Sequence, residues 1–89
     1  MMVTGLIAKE DILNYKIVHA VDHQSEELYE KLMNAVRLGN TFKAKVTITF
    51  MTADGPKKVE TTVWNATKEY IELKGGILIA TKSLLSIEY

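Results

Sequence analysis

Residues 42–64 read FKAKVTITFMTADGPKKVETTVW, and the sidedness of this stretch decides the fold class. Phe42, Ala44, Val46, Ile48 and Phe50 alternate with Lys43, Lys45, Thr47, Thr49 and Met51. Successive side chains of a strand point to opposite faces, so the segment has one core face and one wet face. Ala53-Asp54-Gly55-Pro56 interrupts the alternation and residues 57–64 resume it. With residues 53–56 as a four-residue loop, Phe50 faces Val59, Ile48 faces Thr61 and Val46 faces Val63 on the core side. Lys45 then faces Trp64 on the outer side, close enough for a cation–π contact of about 0.5–1 kcal/mol. A slip of one residue would put Val59 and Val63 in water, so burial resists it.

Downstream, Asn65-Ala66-Thr67 makes a corner and residues 68–74 form a third strand with Ile71 and Leu73 on one face. A three-residue loop, Lys74-Gly75-Gly76, pairs Leu73 with Ile77 and Ile71 with Ile79, and puts a glycine at the left-handed position. Residues 80–83 bend the chain, and residues 84–89 form a fifth strand with Ile87 inward. Upstream, Asp22 or Ser25 caps a helix whose apolar stripe is Leu28, Leu32, Ala35 and Val36, widened by Tyr29 and Met33. Glu26 and Glu27 suit its first turn, Arg37 its last, and Gly39-Asn40 is a stop signal. Residues 15–21 read as extended, and residues 1–14 allow a short helix carrying Ile7, Ile12 and Leu13. The expected organisation is one domain over residues 1–89: an N-terminal extension (1–21), a helix (22–39) and a barrel (41–89). The expected fold class is α+β, with one amphipathic helix packed on a small, strongly bent five-stranded antiparallel β-barrel.

The chain has 89 residues, 47% of them hydrophobic and 25% charged, which suits one folded domain rather than disorder. Eleven basic residues balance eleven acidic ones, so a nucleic-acid role would need the charge segregated by face. With no cysteine, disulfides and thiolate metal sites are excluded. The apolar run at residues 1–8 is too short for a signal sequence, and no run approaches the roughly 20 residues of a membrane span. The cytoplasm is the expected compartment, with no membrane association.

The order of elements resembles the Sm-like, or more generally SH3-like, small β-barrel superfamily over roughly residues 25–87. The similarity is greatest to its bacterial host-factor branch. Val46-Thr47-Ile48-Thr49-Phe50 resembles that family's first strand and Asp54-Gly55 its first turn. Val63-Trp64-Asn65 and Tyr70-Ile71-Glu72-Leu73 look like the end of its second strand and its third. Leu84-Leu85-Ser86-Ile87 is similar to the closing strand. Glu60-Thr61-Thr62 stands where the family carries a glycine, and Asn65 replaces its acidic residue. Ala80-Thr81-Lys82-Ser83 replaces the tyrosine-lysine-histidine motif. The resemblance therefore implies a barrel shape, while the family's RNA-contacting residues are not carried over.

Candidate chemistry is sparse. His19 and His23 have the i, i+4 spacing of a helical zinc pair, but a helix boundary separates them and no third ligand is evident. Glu26, Glu27 and Glu30 fit a solvated first-turn cluster. Gly75-Gly76 lacks the strand–loop–helix setting of a phosphate loop, and no serine has a histidine partner in sequence. No metal, cofactor or catalytic residue is expected, and the chain reads as a binding module rather than an enzyme. Two readings of its surface follow. One is contact with a protein partner, or with a second copy, through sheet edges or the Trp64 and Tyr70 side. The other is an RNA- or DNA-binding surface of Lys43, Lys45 and Lys58 with Trp64, by phosphate contact and base stacking.

Overall fold

The computed structural model describes residues 6–20 and 26–89. Among these residues lie one α-helix, α1 (Glu26–Phe42), and seven strands: β1 (Leu6–Ile7), β2 (Val46–Thr52), β3 (Gly55–Thr61), β4 (Val63–Ala66), β5 (Tyr70–Leu73), β6 (Ile77–Ala80) and β7 (Leu84–Glu88). They form two sheets, of order β1-β3-β2-β7 and β4-β5-β6. The fold is a small α+β arrangement. The closed five-stranded antiparallel barrel expected from the sequence is not formed.

Two features explain the difference. The alternating run 57–64 is not one strand: its ladder with β2 ends at Thr61, and β4 belongs to the other sheet. Between β6 and β7 a 3-10 turn over Thr81–Ser83 replaces strand pairing, with the Ser83 hydroxyl donating to the Ala80 carbonyl at 2.6 Å. The first sheet is also mixed rather than antiparallel, because β1 runs parallel to β3 through Leu6↔Lys58 and Ile7↔Val59.

The hairpin of β2 and β3 keeps its expected sidedness but shifts its partners by two residues. Ile48 faces Val59, Val46 faces Thr61 and Phe50 faces Lys57. The loop is shorter than four residues, since Thr52 faces Gly55, which takes φ +104. The Thr52 hydroxyl donates to the Gly55 carbonyl at 2.7 Å and accepts the Asp54 N–H at 3.1 Å, closing the turn. A two-residue shift preserves the side-chain alternation, so the core face of Val46, Ile48, Phe50 and Val59 is buried as the pattern requires. The hairpin of β5 and β6 has the expected register, Leu73↔Ile77 and Ile71↔Ile79, with Gly75 and Gly76 both at positive φ. Ile87 is buried on β7.

Helix α1 runs three residues past its expected stop. Gly39 is not a terminator but continues the buried stripe of Leu28, Leu32 and Ala35. A methyl group there would collide with the Val63 carbonyl oxygen and lie 3.0 Å from Thr62 Cγ2, so the absence of a side chain lets the helix meet β4 closely. The expected caps Asp22 and Ser25 lie outside the described residues. The N-terminal segment forms a 3-10 turn over Lys9–Asn14 that buries Ile12, followed by an extended stretch. The Val18 N–H donates to the Met51 carbonyl at 3.2 Å, and the Ala53 N–H to the Lys16 carbonyl at 2.8 Å. No described helix is long and apolar enough to cross a membrane.

Candidate functional site

A groove of about 390 Å³ opens where the end of α1 meets the start of β4, lined by Gly39, Asn40, Lys43, Lys45, Thr62, Trp64 and Lys74. Each basic residue reaches it for a local reason. Lys43 follows the helix in the left-handed conformation, φ 54, with its N–H donating to the Gly39 carbonyl at 3.0 Å. The Ala44 N–H caps the Leu38 carbonyl at 3.4 Å. Lys45 leads into β2. Lys74 follows β5, and its N–H donates to the Thr62 carbonyl at 2.9 Å. Trp64 stands at an irregularity of β4, between the pairs Val63↔Leu73 and Asn65↔Glu72, and is 45% exposed. Among the described residues, no ion pair joins any of these lysines to a carboxylate.

Of the residues singled out in the sequence, the groove gathers Lys43, Lys45 and Trp64. It does not gather Lys58, which is half-buried on β3 between Leu6 and Thr49. Nor does it gather Tyr70, exposed at the far end of β5 from Lys74. Lys45 and Trp64 are not ladder partners as expected, because β3 ends before Trp64. The cation–π contact falls elsewhere, with Lys57 Nζ 5.2 Å from the centre of the Tyr15 ring. Lys74 escaped the sequence reading, which assigns registers to two hairpins but none to the return of β5 along β4. That return, Val63↔Leu73, carries Lys74 to Thr62.

The apolar groups on the outer side of the strands are unevenly covered. Met51 is half-buried, while Trp64, Tyr70 and Leu78 keep 45%, 46% and 50% of their surface. His19 is exposed in the extended stretch, and His23 lies outside the described residues. Among the described residues no group of three or more His, Asp or Glu side chains is placed to hold a metal ion.

Fold and groove together define a small α+β domain with a basic, tryptophan-bearing cleft at a helix end. Comparison with protein families, curated proteins and solved structures finds no match to the chain.

Proposed function

We propose that this chain is a non-enzymatic binding module that holds single-stranded nucleic acid in the Trp64 groove. Lys43, Lys45 and Lys74 contact phosphate in this reading, and the indole stacks on a base. The observation that carries it is the gathering of three lysines, none paired with a carboxylate among the described residues, around one exposed indole. Like charges held together without direct ion pairs repel, and a bound polyanion relieves that repulsion. Base–aromatic stacking adds about 1–3 kcal/mol per base. The groove's size also lies in the range of about 300–1,000 Å³ common to ligand sites. Zero net charge is compatible with this reading, because three of the eleven basic residues meet at this one groove.

The test uses a property of the chain itself. Trp64 is its single tryptophan, so intrinsic fluorescence reports on the groove directly. Oligonucleotides should quench it. The affinity should fall with salt at a log–log slope of about −2, from roughly 0.7 per neutralised phosphate and three lysines. Lys45→Ala and Lys74→Ala should flatten the slope, while Lys58→Ala should not. Absence of quenching by any single strand at micromolar protein would remove the proposal.

A second reading, self-association through the second sheet, is favoured by the exposed Tyr70 and Leu78 and by β6, which is an edge strand. Sedimentation over a hundred-fold concentration range tests it. A concentration-independent monomer would end it.

A further inference from the structure

A second hollow of about 240 Å³ adjoins the Trp64 groove and shares Lys45, Thr62 and Lys74 with it; its own walls include Glu10, Glu60 and Thr61. Thr61 and Thr62 are only 3% and 6% exposed. Among the described residues neither hydroxyl makes a hydrogen bond. No fully buried side-chain oxygen is left without a partner, so these two hydroxyls are not sealed from solvent, and both residues line the hollow. The Thr62 methyl, not its hydroxyl, is the side-chain atom that lies against Gly39. A nearly buried hydroxyl with donor and acceptor capacity unused is a recognition element in waiting.

We infer that this hollow takes the sugar next to the bound phosphate and selects RNA over DNA through the 2′-hydroxyl, held by Glu60 and Thr62, which share one face of the chain. The inference rests on the nucleic-acid reading of the Trp64 groove. Strand connectivity supplies the argument. A phosphate held at Lys45 and Lys74 lies on the boundary between the two hollows, and the groups covalently nearest to a phosphate are sugars. One sugar leads back to the base on Trp64, and the other enters the second hollow. Glu10 and Glu60 there repel a further phosphate but accept hydrogen bonds from hydroxyls. Ribose offers a 2′-hydroxyl that both donates and accepts, and deoxyribose offers none. A hydroxyl bonded to a carboxylate is the stronger, charge-assisted kind.

The experiment measures quenching of Trp64 in the full chain by ten-residue oligouridine and oligodeoxyuridine at one salt concentration. These strands differ only in the 2′-hydroxyl. The ribo strand should bind about ten-fold tighter, the scale of one hydrogen bond to a charged group. The advantage should vanish in Glu60→Gln, a surface change, and shrink in the near-isosteric Thr62→Val. Equal affinities in the parent chain would overturn this inference and leave the groove reading intact. A preference that survives both substitutions would place the discrimination elsewhere and overturn it as well. No quenching by either strand would overturn both readings together.

Discussion

The two sheets contain similar residues but use them differently. In the first, β2 and β3 are seven residues long, and even the outward Thr49 is buried to 8% exposure. In the second, every strand has four residues. There one face holds Val63, Ile71, Leu73 and Ile79 in the core, while Trp64, Tyr70 and Leu78 stay open. The long β2–β3 ladder, with both faces partly covered, makes the first sheet the more buried of the two. The second sheet is anchored on one side only, which leaves its other side available to a ligand. The groove lies at the junction, where helix α1 and the departure of the chain at Thr62 bring groups from both parts together.

Substitutions can break this contrast, and they rank by expected effect. Ile48→Asp, fully buried in the first sheet, should abolish cooperative folding, at a cost of several kcal/mol for an unpaired buried charge. An unchanged melting midpoint would refute the assignment of its face. Gly39→Ala sharpens the view of the junction. If Gly39 only ended the helix, alanine would help by up to about 1 kcal/mol of helix propensity. Because its methyl group meets the Val63 carbonyl, denaturant titration should instead show a loss of about 1–3 kcal/mol.

Lys43→Gly should separate stability from binding. It relieves a left-handed lysine, φ 54, and should raise stability by up to about 1 kcal/mol. The same change removes a groove cation and should weaken oligonucleotide binding and flatten its salt dependence. Loss of both stability and binding would mean that the lysine is structural. Smallest of all, Leu78→Asp on the open face of the second sheet should move the midpoint by no more than about 0.5 kcal/mol, as for other surface changes. A large drop would show that this face is covered in solution.

The pattern of apolar residues already carried much of the fold. The alternation of Val46, Ile48 and Phe50 announced a sheet face, and the stripe of Leu28, Leu32 and Ala35 announced a helix. Gly75-Gly76 announced a three-residue hairpin. These features are local, set by side-chain periodicity and by the few residues that tolerate a left-handed backbone. The length of the first hairpin loop was less legible. Two registers two residues apart bury the same side chains, and the Thr52 hydrogen bonds that favour the shorter loop exist only once it forms.

What the sequence alone determined is therefore sidedness: which residues face inward on each element, and that helix and strands share one core. What only the tertiary structure decided is where the chain leaves one sheet for the other, and hence which lysines meet. Thr62 carries no breaking residue type, and the division of the run 57–64 there follows from long-range partners: β2 holds one half, β5 the other, and the close approach at Gly39 lies against the joint. Periodicity reports a residue's face but not its distant neighbour. For that reason Lys74 joined Trp64, and Lys58 did not.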